Sequence, residues 1–370
     1  MKKQLLITAG VLSFFAACKK DDGTPAPALK VPYSGLTSNT DYFKTFVDDA
    51  DKTTVDFSGQ STRIAMLKEL DAYVKKGTTT VLDASKMVNM FENTNSPFSD
   101  AALNSATDKT LISKTAQSFP VTDADAERQL FKGFFNSVAA ASADNSKTAT
   151  AGVAGVLTAP SGSKYLVNEK GFEYAQFIQK GLIGALLLDQ ISNIYLGSDK
   201  QNADNKTIVS GKNYTQLEHH WDEAYGYLTQ NEYYPKKDSD NKWLESFLGS
   251  YVRQVGAPNG DPAAVYMAFL KGRAAIVNND MKTRDEQISY LKTALEKSIA
   301  VIAVSYLNKT IAETSNDAVK FHSLSEGVGF IYSLRFASNA KINRAKSEEL
   351  LKALMDKPNG FWSLTAADLT

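Results

Sequence analysis

With 370 residues and a hydrophobic content of 43%, the chain can bury a sizeable core, either as one large domain or as two of ordinary size. Lys plus Arg and Asp plus Glu both number 41, so the formal net charge is zero. There is no basic field to hold nucleic acid or to draw the domain onto an anionic bilayer.

The first eighteen residues, MKKQLLITAGVLSFFAAC, join a basic start at Lys2 and Lys3 to an apolar run from Leu5 to Phe15 and small residues before Cys18. The run is too short to cross a bilayer, so residues 1–18 are expected to be a signal peptide. The Phe-Ala-Ala-Cys end resembles a bacterial lipobox with Phe15 in place of the usual leucine, which implies that Cys18 becomes the lipidated first residue of the mature protein. Each buried methylene gains about 0.8 kcal/mol, so several acyl chains hold a protein on a membrane nearly permanently. Cys18 is the only cysteine, and no disulfide can form within the domain. Residues 19–38 open with KKDDGTPAPALKVP, too rich in Pro, Gly and charge to pack a core, and read as a flexible tether. Its Lys-Lys-Asp-Asp resembles the surface-export signal of Bacteroidota lipoproteins and equally suits a plain solvated linker. The expected location is the outer membrane, lipid-anchored, and cell-surface exposed if that export signal operates.

Residues 39–370 read as one helical domain. Segments near 61–77, 124–142, 168–195, 216–229, 262–277, 284–313 and 317–337 carry apolar residues at three- and four-residue spacing. Only a weak TTTVL at 78–82 suggests a strand. Gly77 after Lys75 and Lys76, Pro120 before Asp123, and Pro262 after Asp261 are helix stops and starts. The expected fold is an all-α helical bundle, as one body or as two packed sub-bundles. Residues 143–167 break the pattern with small and polar residues and read as a long loop, either covering a cleft or crossing between halves. In the segment from Asn168, Glu173, Lys180 and Gly184 share one stripe, with Gly181 beside it; the charged pair needs partners if buried, and an ion-pair network is the expectation.

In TQLEHHWDEAYGY, residues 215–227, Thr215 and Glu218 have capping-box spacing, so a helix should start at Gln216. Leu217, Trp221, Ala224, Tyr225 and Leu228 then form the apolar face, with His220, Glu223 and Tyr227 along its flank. His219 precedes Glu223 by four residues and is within reach of it. Histidine and carboxylate one turn apart is how bundle helices chelate divalent metals, but one pair cannot fill a coordination shell. The segment 316–335 offers a second stripe of His322, Ser325, Glu326, Gly329 and Ser333 on a helix that is otherwise apolar nearly all round. His219, His220, Glu223, His322 and Glu326 are therefore the candidate ligands of a divalent metal ion, if the two segments meet. The alternative is that the histidines only bridge carboxylates and tyrosines between helices. The sequence carries no Gly-x-Ser-x-Gly, phosphate loop, His-Glu-x-x-His or mature-domain cysteine nucleophile.

Three stretches carry a resemblance: YSGLTSNTDYFKTFVDDADKTTVDFSGQSTRIAMLKELDAYVKKG, LEHHWDEAYGYL, and FLKGRAAI with the later HSLSEGVGFIYSLR. Together they resemble the Bacteroidota lipoproteins grouped as domain of unknown function 4856, over nearly the whole mature chain. The resemblance implies a helical lipoprotein encoded beside outer-membrane uptake genes, with outer-membrane uptake proteins as the expected partners; the family itself has no established activity. His220-Trp221-Asp222-Glu223 is also similar to the His-x-x-Glu part of the Gly-x-His-x-x-Glu motif of imelysin-like envelope proteins, with Glu218 where the glycine stands. Three functions are carried forward. The first is a lipoprotein that binds a metal ion or iron-containing nutrient. The second is a metal-dependent hydrolase with Glu223 as base, and the third a structural subunit of a surface complex.

Overall fold

The computed structural model describes residues 29–256, 260–313, 315–338 and 341–369. The expected signal peptide, Cys18 and the Lys-Lys-Asp-Asp run lie outside the described residues. The chain is 60% helical, and the only sheet among the described residues has two strands, so the fold is all-α as the periodicity predicts. No described helix is long and apolar enough to cross a membrane.

In chain order, α1 (Tyr42–Thr45) and α2 (Ser58–Lys75) lead to α3 (Ala84–Glu92), α4 (Ala101–Ser105) and α5 (Val121–Ser142). An antiparallel hairpin of β1 (Gly155–Thr158) and β2 (Lys164–Val167) follows, pairing Gly155 with Val167. Next, α6 (Tyr174–Leu182) runs on through two π-helical stretches, Ile183–Leu188 and Gln190–Tyr195. The rest comprises α7 (Ser198–Gln201), α8 (Gln216–Leu228), α9 (Phe247–Val255), α10 (Ala263–Val277), α11 (Met281–Ala312), α12 (Asp317–Ser333) and α13 (Arg344–Met355). Helix starts follow local chemistry. The Asp280, Asn316 and Asn343 side chains each accept a backbone N–H of the first turn, and Pro120 and Pro262 stand directly before α5 and α10.

The bundle is built around α12, which packs between α11 and α6 and is buried on nearly every face. One contiguous set of buried residues runs from Tyr42 to Leu364. The predicted apolar face of α8 is buried throughout, and the Trp221 indole donates to the Phe269 carbonyl at 3.0 Å. Beside it, α10 carries Arg273 into the core. Its guanidinium donates to Asp222 Oδ1 (3.0 Å), Glu218 Oε1 (2.8 Å) and Thr54 Oγ1 (3.0 Å), and the Tyr42 hydroxyl donates to the same Asp222 oxygen at 2.9 Å. Burial pushes the Asp222 carboxyl up to about 7 against the opposing pull of Arg273.

Four features differ from the sequence reading. The stretch 143–167 contains the hairpin rather than an open loop, because strands of four residues are too short to show alternation. TTTVL forms no strand and instead carries the chain from α2 into α3. The helix expected from Asn168 starts at Tyr174, because the Asn168 side chain accepts from Lys170 N (3.0 Å) and Phe172 N (2.9 Å) and folds the intervening residues into a turn. Within the stretch read as tether, Val31 exchanges two hydrogen bonds with Asn278 (3.0 and 2.9 Å), and the Tyr33 hydroxyl donates to Asp280 at 2.9 Å.

Candidate functional site

The polar stripe of α12 faces α6. Backbone N–H of Glu173 donates to Ser325 Oγ at 3.0 Å, and Lys180 Nζ lies 3.0 Å from Glu326 Oε1. Ser333 Oγ accepts from Gly184 N at 3.0 Å and donates to the Lys180 carbonyl at 2.6 Å. A Cβ at Gly184 would sit 2.4 Å from Ser333 Cα, and one at Gly329 would sit 2.5 Å from Lys180 Cβ. The seam closes only because both residues are glycine. Buried polar groups need partners, and the two stripes, read from the sequence as separate features, supply each other. The α8 flank expected to face α12 does not.

His322 stands at the open end of this seam. Its Nδ1 is 2.7 Å from Glu173 Oε2 and its Nε2 is 3.5 Å from Glu326 Oε2. Tyr165 of β2 stacks on the ring with centroids 4.1 Å apart. Gln176 Nε2 donates to Glu173 Oε1 at 2.9 Å, and the Tyr251 hydroxyl donates to Glu326 Oε1 at 3.4 Å. Burial, reinforced by the charge of Glu326, holds that hydroxyl well above its ordinary pKa. These side chains, with Val74, Val138 and Leu166, line a cleft of about 480 Å³, the size of a small-molecule site. Gln176 Oε1 is buried there without a partner.

His219, His220 and Glu223 lie elsewhere. The Thr215–Glu218 capping box is present and α8 starts at Gln216 as predicted. Glu223 Oε1 accepts from the Tyr195 hydroxyl and from Gln60 Nε2, both at 3.0 Å, and its Oε2 is 3.7 Å from His219 Nε2. Tyr214 stacks on His219 at 4.8 Å. His220 Nε2 is met by two donors, Gln216 Nε2 at 2.8 Å and Lys200 Nζ at 3.3 Å. It is therefore the acceptor nitrogen, and Nδ1–H donates to the Lys200 carbonyl at 3.1 Å. Burial favours the same neutral form, holding the His220 pKa below its ordinary value. Glu218 closes the cap through Thr215 N at 2.7 Å and also receives Arg273. The glycine of the imelysin motif could do neither.

The two sets do not converge. Glu173 and Tyr195 mark opposite ends of one helical run, roughly 30 Å apart at about 1.5 Å per residue. Among the described residues no hydrogen bond, ion pair or ring contact joins His219, His220 or Glu223 to His322 or Glu326. Nor is any group of three or more His, Cys, Asp and Glu among the described residues placed to hold a metal ion. Local contacts account for this. Lys180 stands against Glu326, the Glu223 carboxylate is occupied by neutral donors, and the lone pair of His220 Nε2 accepts from Gln216 and Lys200.

A sequence model of one family, described as a domain of unknown function (DUF4856), matches residues 43–370. The chain belongs to this family. No curated protein and no solved structure matches it. Both histidine clusters fall inside the DUF4856 match, whereas Cys18 and the residues before Phe43 fall outside it.

Within this DUF4856 domain, sequence reasoning missed Tyr165, Gln176 and Tyr251 at the cleft, and Gln60, Arg63, Lys114, Tyr195 and Lys200 beside α8. Neither cleft tyrosine had a signal of its own, Tyr165 because it sits on the unrecognised hairpin and Tyr251 because it sits on the unrecognised α9. Arg273 did have one, as one of two charges, with Lys271, inside the apolar run YMAFLKGRAAIV, where a buried charge demands carboxylate partners.

Proposed function

We propose that this chain is a lipid-anchored binding protein of an envelope uptake system, held to the outer membrane through Cys18, that takes a small polar ligand in the cleft beside His322. The observation that carries the reading is the lining of that cleft. Glu173, Gln176, Lys180 and Glu326 are buried, Gln176 hydrogen-bonded to Glu173 and Lys180 ion-paired with Glu326, so they are held in place before any ligand arrives, and Gln176 Oε1 is left free to accept. The Lys180 ammonium sits against Glu326 where a bare divalent cation would have to bind, so the ligand is a polar organic molecule or a chelated metal rather than a naked ion.

Thermal unfolding of the full-length protein against sugars, amino acids, amines, metal chelates and free Fe, Zn, Cu and Mn tests this. A ligand at about one hundred times its dissociation constant adds about 2.7 kcal/mol of stability. The expected result is a shift with a polar organic or chelated ligand that Gln176→Leu and His322→Ala remove. A shift with free metal ions alone, abolished by His322→Ala, would replace this reading with direct metal binding. Cys18→Ser is expected to move the protein from the membrane fraction to the soluble one.

A further inference from the structure

We propose that the His219/His220/Glu223 flank is a second, separate site that binds an anion, the phosphate group of a small ligand, in place of the cation its histidines suggest. The charge balance around it is the reason. Arg63 of α2, Lys114 and Lys200 of α7 converge on this flank, and among the described residues none of the three lies within ion-pair distance of a carboxylate. Arg63 is spent on the Thr110 and Gly59 carbonyls (3.1 and 3.2 Å). Lys114 reaches only the Gln117 amide oxygen (3.2 Å) and lies 5.9 Å from the centre of the Tyr195 ring, while Lys200 reaches only His220.

Glu223 is the single carboxylate they face, and its hydrogen bonds come from Gln60 and Tyr195, both neutral. The nearby acids are already paired, Asp56 with Lys212 at 3.1 Å and Asp108 with Lys109. Three cations and one carboxylate leave a charge of about +2 on these groups, which matches the −1.5 to −2 of a phosphate group at neutral pH. The crowding shows in the groups themselves: burial first, and then Arg63, holds the Lys114 ammonium below its ordinary value, and Lys200 adds to the depression at His220. His219 Nδ1 is buried without a partner, and so is Gln60 Oε1, an acceptor that suits the P–OH of a singly protonated phosphate and not a bare oxygen. An arriving phosphate would accept from the two lysines and relieve their mutual repulsion.

Calorimetric titration of the full chain with inorganic phosphate and with glycerol 3-phosphate, at constant ionic strength to separate binding from screening, decides the matter. Binding is expected with at least one of the two, and the tighter one distinguishes free phosphate from a phosphate ester. Lys114→Gln and Lys200→Gln should each weaken it by at least about tenfold, the effect of losing one charge-assisted hydrogen bond. The unliganded variants should melt no lower than the parent, whereas lysines with a structural role would make them melt lower. His322→Ala should leave phosphate binding unchanged, since that residue belongs to the other cleft. No binding of either compound, binding that survives in the double lysine variant, or metal-ion binding lost in His220→Gln would overturn the proposal.

Discussion

The two histidine clusters are made of the same residue types and stand at the two ends of one helical run, yet their charge economies are opposite. Around His322 the single buried cation, Lys180, is paired with Glu326, and the second carboxylate, Glu173, is held by His322 and Gln176. Around His219 and His220 three cations share one carboxylate that hydrogen-bonds to neutral groups. The difference comes from the neighbouring helix and not from the histidine-bearing one. α12 faces an α6 that brings its own Glu and Lys, and α8 faces α2 and α7, which bring Arg63 and Lys200. A histidine and a carboxylate one turn apart therefore fix a geometry without fixing the sign of what the site attracts.

The largest effect that can break this comparison is expected at Lys180. Lys180→Met strands Glu326 in a buried position, and losing one partner of a buried ion pair costs about 3 kcal/mol or more. Denaturant unfolding should show that loss, with most of it recovered in the double variant Lys180→Met/Glu326→Met. If the single variant is as stable as the parent, the seam is not an ion-paired structure and the contrast with Lys114 fails. Next comes Gly184→Ala, whose added methyl falls 2.4 Å from Ser333 Cα in a seam with no slack. Overpacking of this kind costs about 1–3 kcal/mol. A smaller loss, about 1 kcal/mol, is expected for Ser333→Ala, which removes the hydroxyl bridging Gly184 N and the Lys180 carbonyl. Both are measurable by thermal unfolding, and unchanged stability in both would mean that α6 and α12 do not approach as described.

Much of the fold was legible because helical periodicity and caps are local. Thr215 and Glu218 located the start of α8, and the buried face from Leu217 to Leu228 followed from 3.6-residue spacing. The α12 stripe and the Glu173/Lys180/Gly184 stripe were both legible as stripes. Which stripe meets which was not, because pairing between helices is set by packing over long sequence separations. Glu173 and His322 are 149 positions apart, and nothing in either segment names the other. The hairpin escaped because four-residue strands give no periodic signal, and Tyr165 escaped with it. The basic groups beside α8 escaped because Arg63, Lys114 and Lys200 come from three segments, each unremarkable as a surface charge until the fold gathers them.

The smallest effect, and the one that most sharpens the comparison, concerns pH. Burial, then the charge of Lys200, keeps the His220 pKa below its ordinary value, so as pH falls through about 6.5 the unfolded chain takes up a proton before the folded one does. The folded state loses stability over that interval, down to the depressed folded pKa, and His220 contributes no slope at higher pH. Unfolding free energies measured between pH 5 and 8 should therefore rise with pH up to about 6.5, and the rise should shrink in His220→Gln, whose amide can still meet Lys200 and Gln216. Bound phosphate should oppose the loss, because an anion beside the ring stabilises its protonated form and lifts the folded pKa back toward the unfolded value. An unchanged slope in His220→Gln would mean that the ring titrates freely and is not held neutral between Lys200 and Gln216. A slope that phosphate steepens would contradict the charge balance on which the anion site rests.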